Sequence, residues 1–271
     1  VKFFEHQFPE MLDIPSTCKS PQTMLGAIAK TYYLEKLDIL PRRLKVVSIM
    51  PCVAKKAESA RSELSKEELL NVDYVLSTRE FGQMIKEAGI DFNKLEDSEF
   101  DSILGESTGA GAIFGTTGGV IEAATRTAYE LITGENLEKI EFEQLRGLDG
   151  IREAQVKVGD INLKIGIAHG LGNARKLLES IQKGERFFHA IEIMACPGGC
   201  IGGGGQPYHH GDQEVIKKRQ AAIYEIDRNT PRRKSHENEM VLKLYEDYLG
   251  EPYGKKAHDL LHTCYTPGEK I

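Results

Sequence analysis

Two cysteines with three residues between them lie in a glycine-rich segment, residues 193–207, that reads Ile-Met-Ala-Cys-Pro-Gly-Gly-Cys-Ile-Gly-Gly-Gly-Gly-Gln-Pro. Cys196 and Cys200 offer soft thiolate ligands, and the glycines around them can adopt positive φ and leave backbone N–H groups uncovered. Such a loop can wrap closely around an inorganic anion and hydrogen-bond its sulfur atoms. The pattern therefore predicts a cradle for a metal–sulfur cluster.

Two other interpretations of this segment stay open at this point. The first is a flexible loop with incidental cysteines, but flexible linkers are usually rich in serine and polar, whereas this segment follows an apolar, strand-like run over residues 189–194. The second is a zinc site, because the cysteine spacing falls within zinc-finger limits and His209 and His210 follow closely. The density of glycines favours the cluster over both.

A third cysteine, Cys52, stands where a predicted strand ends and a predicted helix begins, in the sequence Met-Pro-Cys-Val-Ala-Lys-Lys-Ala-Glu of residues 50–58. Ligands of α/β folds bind at the carboxyl ends of strands, and the positive end of a helix favours the thiolate form of a cysteine. A nucleophilic cysteine with a distant histidine is an alternative, although no thiol-hydrolase pattern lies nearby. Lys55 and Glu58 are spaced as an ordinary ion pair on a helix surface.

Apolar runs alternate with amphipathic stretches along the chain, which indicates an α/β fold. Thr78 is the expected N-cap of one helix and Gly89 its stop, while Gly134 is expected to close another. Strands are predicted over residues 45–49, 74–77, 163–168 and 190–194, and helices over 54–70, 79–88, 120–132 and 174–182.

The last part of the sequence predicts helices without strands, over residues 213–227 and 238–249. Leu242, Tyr245 and Leu249 follow helical spacing there and predict one apolar face that docks on the body of the protein.

Composition excludes several classes of function. The chain has 271 residues, 40% of them hydrophobic, which is enough for one large domain or two lobes with a buried core. Its net charge of −6 argues against nucleic acid as a partner, and the basic run of residues 228–234 is short and interrupted by Pro231. No apolar run reaches about 18 residues, so no membrane span is predicted. Five cysteines and no signal-peptide pattern favour an intracellular, reducing setting.

Three tracts together, residues 16–22, 50–58 and 194–207, resemble the catalytic domain of iron-iron hydrogenases. The resemblance extends through residues 109–120 to the tail at 234–238 and 257–262, and the Met-Pro-Cys and Ala-Cys-Pro-Gly-Gly-Cys sequences are its most specific parts. It implies an α/β fold with two lobes of small, mostly parallel sheets flanked by helices, the cluster between them, and a helical C-terminal tail. The expected divisions are residues 1–112, 113–212 and 213–271, the last similar to a hydrogenase small subunit.

In that family a [4Fe-4S] cubane held by four cysteines shares one thiolate with a diiron unit that carries carbonyl, cyanide and a bridging dithiolate, and the whole is the H-cluster. By resemblance Cys52, Cys196 and Cys200 are cubane ligands, with Cys200 the shared thiolate. The resemblance also implies that Lys55 donates to a cyanide and that Glu58 steadies Lys55.

Further residues match family positions that line the diiron pocket, where soft or apolar contacts protect reactive iron and Gln22 donates to a carbonyl. Ser16 matches a serine of the family's proton path. A hydroxyl suits such a path, because it can accept and donate a proton in one relay step. The alternative is that the Ser16 hydroxyl only caps a helix or a turn. The pocket positions are Ser20, Gln22, Met50, Pro51, Phe114 and Met194.

The implied activity is the reversible oxidation of H2 to protons and electrons in the cytoplasm, with ferredoxin or another redox carrier or subunit as electron partner. One departure from the family pattern is the absence of its Thr-Ser-Cys-Cys-Pro-x-Trp motif, which supplies a proton-delivering cysteine and the first cubane ligand. We therefore expect this chain to be the carboxyl-terminal portion of a catalytic domain, inactive alone. Cys18 matches a family position that is not a ligand, and Cys264 is interpreted as a plain tail residue.

The alternative function is that of the non-catalytic, hydrogenase-like iron-sulfur proteins of cytosolic cluster assembly and prelamin binding, which resemble this chain in the same cysteine tracts. Those proteins carry cubanes without a diiron unit and commonly end near a tryptophan. This chain has no tryptophan and has the hydrogenase-like sequence Ser-His-Glu-Asn at residues 235–238, which favours the enzyme.

Overall fold

The computed structural model describes residues 1–66, 69–99, 101, 104 and 107–269. The chain forms two compact units. Unit 1 comprises Val1–Ile103 and Lys243–Ile271, and unit 2 comprises Leu104–Leu242. The domain boundaries at residues 112 and 212 stay a prediction.

Helices and strands alternate through most of the chain, as the sequence predicts. The helices are α1 (Lys2–Gln7), α2 (Pro21–Ile28), α3 (Leu34–Leu37), α4 (Ala54–Ser59), α5 (Thr78–Glu87), α6 (Gly109–Ile113), α7 (Gly119–Thr133), α8 (Leu171–Gln182), α9 (Gln213–Asn229), α10 (Glu239–Leu244) and α11 (Lys255–Leu261). The strands are β1 (Val47–Met50), β2 (Ser65–Lys66), β3 (Leu69–Leu70), β4 (Tyr74–Ser77), β5 (Ile151–Val158), β6 (Ile161–His169) and β7 (Ala190–Met194). Single π-helical turns span Ala29–Tyr33 and Tyr245–Leu249.

In unit 1, β1 and β4 pair in parallel, with Met50 opposite Ser77 at their carboxyl ends. Ser77 then caps α5, because its hydroxyl accepts from the N–H of Glu80 at 3.2 Å while the Glu80 carboxylate accepts from the N–H of Ser77 at 2.8 Å. The predicted cap, Thr78, was wrong by one residue. The predicted stop is confirmed, since Gly89 follows the helix with a φ of 68°.

The helix predicted over residues 54–70 ends instead at Ser59. Arg61 is extended, with φ −72° and ψ 132°, and its guanidinium donates to both carboxylate oxygens of Glu5, at 2.9 and 2.6 Å. This bidentate pair outweighs local helix propensity, so the prediction was wrong beyond residue 59. Residues 67 and 68 of the predicted helix lie outside the described residues.

Unit 2 is built on a three-stranded sheet in which β6 is central, antiparallel to β5 and parallel to β7. Leu145, Val158, Ile165 and Ile167 are buried in its core with side chains at most 1% exposed. The predicted β7, α7 and α8 are confirmed, whereas β5 was not predicted. The α/β fold of small sheets with flanking helices is thus confirmed.

A fully buried network of charges joins α7 to α9 within unit 2. The Arg126 guanidinium donates to both Asp227 carboxylate oxygens, at 2.8 and 2.9 Å, and to Glu122 at 2.8 Å. All three side chains are 0% exposed. Burial raises the pKa of Asp227, but Arg126 and Arg233 outweigh it, so the pKa lies below its ordinary value and the carboxylate stays ionised.

The apolar face predicted for the tail is wrong at one residue, because Leu242 is 54% exposed. The π turn at Tyr245–Leu249 contains one more residue per turn than an α-helix, so Leu244 and Leu249, five residues apart, are the buried pair. None of the helices in the described ranges combines the length and apolarity needed to cross a bilayer.

Candidate metal centre

The first cysteine segment lies in unit 1 at the end of β1. Met50 closes the strand, Pro51 and Cys52 follow it, and α4 begins at Ala54. Met50, Pro51 and Cys52 are all half-buried, and Cys52 forms no disulfide. The structure thus places these three residues as the sequence predicts, at the carboxyl end of a parallel strand.

The Glu58 carboxylate is the centre of a polar network beside this segment. Lys55 Nζ donates to Glu58 Oε2 at 2.5 Å. The other oxygen, Oε1, accepts from the hydroxyls of Ser20 and Thr23, the latter at 2.9 Å, and from Gln22 Nε2 at 3.4 Å. Burial raises the pKa of Glu58, but the charge of Lys55 and these hydrogen bonds together hold the pKa below its ordinary value. An ionised Glu58 therefore fixes the Lys55 ammonium.

Gln22 is oriented from both ends of its amide. The side chain is 7% exposed, and its Oε1 accepts from the Ser48 hydroxyl at 2.6 Å. Sequence reasoning missed Ser48 and Thr23. Thr23 could have been found from its spacing, because it lies three residues after Ser20 and so shares one side of the first turn of α2.

Ser16 is exposed in a turn before α2. Its hydroxyl accepts from the N–H of Cys18 at 3.3 Å, and its carbonyl accepts from the Tyr265 hydroxyl at 2.5 Å. The contact with the N–H of Cys18 is a local hydrogen bond of the kind that a turn hydroxyl makes, which is the alternative role given for Ser16 in the sequence analysis. The role of Ser16 in proton transfer stays a prediction. Cys18 and Cys264 are exposed.

The second cysteine segment lies in unit 2, directly after β7 ends at Met194. Two of its glycines adopt the positive φ that the sequence analysis allows, 76° at Gly198 and 95° at Gly199. A Cβ added at Gly199 would lie 2.7 Å from Met194 Sδ and 2.7 Å from the backbone nitrogen of Thr117. Only glycine fits this position, because both the backbone conformation and the space exclude a side chain.

Backbone hydrogen bonds hold this loop, the Cys196–Cys200 loop, in one shape. The N–H of Gly199 donates to the carbonyl of Cys196 at 3.0 Å. From the neighbouring loop, the N–H of Thr117 donates to the carbonyl of Gly198 at 3.0 Å, while Ile201 donates to the carbonyl of Gly115 at 2.9 Å. Cys196 and Cys200 are both half-buried within it.

A buried carboxylate that sequence reasoning missed supports the neighbouring loop. Glu192, on β7, is 7% exposed and accepts from the N–H groups of Gly118 at 2.5 Å and Ile121 at 2.9 Å, at the start of α7. Burial raises the pKa of Glu192 above its ordinary value, although these N–H groups and the charge of Arg152 oppose the rise.

A histidine that sequence reasoning also missed contacts the loop itself. His169 ends β6, and its Nδ1 accepts from the N–H of Gly198 at 3.1 Å while its Nε2 lies 2.9 Å from the carbonyl of Leu148. A single polar residue at the end of an apolar strand was the only signal for it in the sequence.

Phe114 follows α6 and is half-buried. It packs against a small core cluster that includes Ile113, Ala123 and Tyr224. The structure gives it an apolar setting, and its predicted place in a diiron pocket is not tested by these contacts.

The residues present fit an iron-sulfur group by their chemistry. Cys196 and Cys200 are half-buried, form no disulfide and supply soft ligands, and the close packing around Gly199 leaves no room for a side chain in their loop. Among the described residues, no three His, Cys, Asp or Glu side chains are placed to hold a single metal ion. This search gives the zinc alternative no support among the described residues.

Comparisons with known proteins give the same family for most of the chain. Residues 1–204 match the family model described as "iron only hydrogenase large subunit, C-terminal domain", and residues 213–268 match "iron hydrogenase small subunit". NADP-reducing hydrogenase subunit HndD of Solidesulfovibrio fructosivorans is 60% identical over 100% of this chain and 46% of its own length. The chain thus spans about half the length of this curated relative.

A solved structure and a more distant relative complete the comparison. A variant of apo [FeFe]-hydrogenase HydA1 from Chlamydomonas reinhardtii superposes with a TM-score of 0.85 at 42% identity, covering 98% of this chain and 74% of that one. The cytosolic Fe-S cluster assembly factor narfl of Xenopus tropicalis is 29% identical over 94% of this chain and 54% of its own length. Because the hydrogenase model covers three quarters of the sequence and the fold agrees, this chain belongs to the iron-only hydrogenase family.

Proposed function

We propose that this chain carries three of the four cysteine ligands of an H-cluster cubane and serves the reversible oxidation of H2 to protons and electrons. Cys52, Cys196 and Cys200 are the ligands, and Cys200 is the thiolate shared with the diiron unit. The observation that carries the proposal is the Cys196–Cys200 loop, whose Gly199 leaves no room for a side chain, in a chain of this family. When bound, the diiron unit would supply the polarisation of H2 and the cubane a route for electrons.

The proposed part of Lys55 is to hold a cyanide ligand by a charge-assisted hydrogen bond. Glu58 supports this role, because its ionised carboxylate lies 2.5 Å from Lys55 Nζ and takes up one donor position while the others stay available. Ser20, Gln22 and Thr23 hold the carboxylate in turn. The ammonium is thereby fixed in direction before any ligand arrives.

The wall of the proposed pocket consists mostly of soft and apolar groups that exclude water from the reacting site. It also includes one amide, that of Gln22, whose orientation is fixed before a ligand binds. Gln22 donates to a carbonyl ligand, and its bond from Ser48 fixes which way the amide faces. Ser16 relays a proton through its exposed hydroxyl. The wall residues are Ser20, Met50, Pro51, Phe114 and Met194.

H2 and protons are the proposed substrates, with ferredoxin or another redox carrier or subunit as electron partner. The cytoplasm is the proposed location, because five cysteines form no disulfide. The names of the hydrogenase relatives support H2 as the substrate, for a chain that covers about half of their length.

Infrared spectroscopy of the intact parent protein after diiron maturation tests the function, because the three proposed cysteine ligands of this chain are one short of the four that a cubane needs. We expect bands of metal-bound carbonyl and cyanide that are absent from a Cys200→Ala variant and retained in Cys264→Ala, which removes an exposed cysteine instead. Iron-sulfur absorbance without these bands would contradict the hydrogenase proposal. It would favour the non-catalytic alternative, which the 29% identity to the narfl assembly factor supports.

A further inference from the structure

The Cys196–Cys200 loop is held from both sides at one residue, Gly198. The carbonyl of Gly198 accepts from the N–H of Thr117 at 3.0 Å, and the N–H of Gly198 donates to His169 Nδ1 at 3.1 Å. Gly198 lies midway between the two cysteines and has a φ of 76°. Each residue has only two soft backbone dihedrals, so anchoring both polar groups of Gly198 fixes the path of the chain from one thiol to the other.

His169 is itself fixed on every side. The residue is 8% exposed, its backbone N–H donates to the carbonyl of Gly150 at 3.0 Å, and its carbonyl accepts from the Asn173 amide at 2.9 Å. It also lies opposite Met194 in the register of β6 and β7, directly beside the strand end from which the loop departs. The imidazole therefore projects from the rigid sheet of unit 2 and not from a loop.

The two partners of the imidazole determine which nitrogen carries the proton. An N–H of the backbone can only donate, so His169 Nδ1 must accept from Gly198. A carbonyl can only accept, so Nε2 must donate to Leu148 at 2.9 Å. The ring is thus a neutral imidazole with its proton on Nε2, and it bridges the loop after Leu145 to the Cys196–Cys200 loop.

We propose that His169 is a positioning residue for the [4Fe-4S] cubane, acting through Gly198 to set the directions of the Cys196 and Cys200 thiolates. This inference rests on the proposed function. Groups that orient metal ligands tune both the affinity for the metal and its potential, although they do not touch it. His169 does so through the backbone between two ligands.

Three substitutions separate the two hydrogen bonds of the ring. His169→Asn keeps an acceptor oxygen near the position of Nδ1, His169→Gln keeps a donor amide near the position of Nε2, and His169→Phe keeps neither. The measurements are hydrogen exchange of residues 195–203 without the cluster, and the electron paramagnetic resonance spectrum and midpoint potential of the reconstituted cubane.

We expect His169→Asn to stay near the unaltered protein in all three measurements. His169→Gln and His169→Phe should speed exchange in the loop roughly five- to tenfold, as loss of one hydrogen bond does, and should broaden the cubane spectrum and shift its potential. His189→Phe is the matched control, because His189 Nδ1 also accepts a backbone N–H, that of Lys164 at 2.9 Å, at the opposite end of the β6–β7 pairing. It should leave the loop and the cubane unchanged.

Two outcomes would overturn the proposal. One is equal behaviour of the Asn, Gln and Phe variants at position 169, and the other is an effect of His189→Phe as large as theirs. The cubane is measured in the intact parent protein, which supplies the fourth ligand, and if that protein with His169 unaltered takes up no cubane under reconstitution, the proposed function fails. If the protein takes up the cubane, but the spectrum and potential of the cubane do not differ between the Asn variant and the Gln and Phe variants, only the role of His169 is contradicted.

Discussion

The two cysteine segments are organised by different interactions. Beside Cys52, side chains provide the order, through an ammonium, a carboxylate and three neutral donors gathered at Glu58. Around Cys196 and Cys200, the backbone provides it, through glycines at positive φ and hydrogen bonds to peptide groups. The difference indicates that single substitutions in the first segment lower the unfolding free energy by small, separate amounts. In the second segment, most substitutions of the glycines at positive φ should be strongly destabilising.

The carboxylates of the two segments show the same contrast in their charge. Lys55 and the hydroxyls of Ser20 and Thr23 keep the pKa of Glu58 below its ordinary value despite burial, whereas burial raises the pKa of Glu192 despite its backbone donors and the charge of Arg152. The hydrogen-bonded charge of Lys55 helps to outweigh desolvation at Glu58, whereas backbone donors and the charge of Arg152 together do not outweigh it at Glu192.

The largest expected effect tests the rigidity of the second segment. Gly199→Ala forces a side chain into a φ of 95° and within 2.7 Å of two atoms, and it should cost about 2–5 kcal/mol of unfolding free energy from backbone strain and overpacking. Denaturant unfolding and iron content measure it. Gly184→Ala is the control, because Gly184 has a φ of 71° in open space. Equal losses in the two variants would contradict a close-packed loop.

A smaller effect is expected where the charge pair of the first segment is broken. Lys55→Ala leaves Glu58 half-buried without its cation, and it should cost about 1.5–3 kcal/mol and raise the pKa of Glu58. Lys56→Ala removes the neighbouring, more exposed pair with Glu80 and should cost less than Lys55→Ala, because solvent screens that pair. The unfolding free energies of the two variants are compared at neutral pH. Equal losses would show that the Lys55–Glu58 pair contributes no more to stability than the exposed pair does.

The two carboxylates should give pH dependences of opposite sign. The pKa of Glu58 lies below 4.5, so its contribution to stability is present above 4.5 and is lost as the pH falls through the lowered value. The pKa of Glu192 lies above 4.5, so its contribution is present below 4.5 and is lost as the pH rises through the raised value.

Unfolding free energy measured against pH separates these two contributions. Glu58→Gln should flatten the curve on the acid side of 4.5, and Glu192→Gln should flatten it on the other side. The slopes are compared within each variant, so an overall loss of stability does not hide the sign. A shared sign would contradict the assignment of burial to one carboxylate and of charge to the other.

The smallest expected effect is at Ser48, which orients Gln22. Ser48→Ala removes the hydroxyl that donates to Gln22 at 2.6 Å and should cost about 0.5–1.5 kcal/mol. Ser59→Ala removes an exposed hydroxyl that donates to a helix carbonyl and should change stability by less than about 0.5 kcal/mol. If Ser59→Ala lowered the unfolding free energy more than Ser48→Ala does, the hydrogen bond from Ser48 on β1 to Gln22 would not be part of the stabilising network beside Cys52.

Local features of the fold could be predicted from the sequence. The end of β7, that of β1 to within one residue, the cysteines that follow them and the glycine that closes α7 all depend on neighbours within a few residues. Features that depend on distant partners could not. Arg61 ends a helix by bonding Glu5, 56 residues away, and a π turn moves the buried side of the tail away from Leu242.

The candidate site divides in the same way. The family resemblance supplied Ser20, Lys55 and Glu58, and the structure brings these three into one network. His169 and Glu192 lie in apolar strands, and their partners are 29 and 74 residues away. Sequence spacing does not predict such contacts, because each one joins a side chain to a backbone N–H group, and every residue except proline has a backbone N–H.

The buried charges of Arg126 and Asp227 have a consequence for exchanging parts between relatives. Arg126 lies in the region that matches the large-subunit model, and Asp227 lies in the region that matches the small-subunit model. A chimera that inherits one region from a homologue with a different residue at either position would break this fully buried ion pair and leave Arg126 with Glu122 alone or Asp227 with Arg233 alone, which should cost less than the roughly 3–5 kcal/mol of a wholly unpaired buried charge. These two positions must therefore be inherited together, and a recombination point near residue 208 is tolerated only between parents that share the pair.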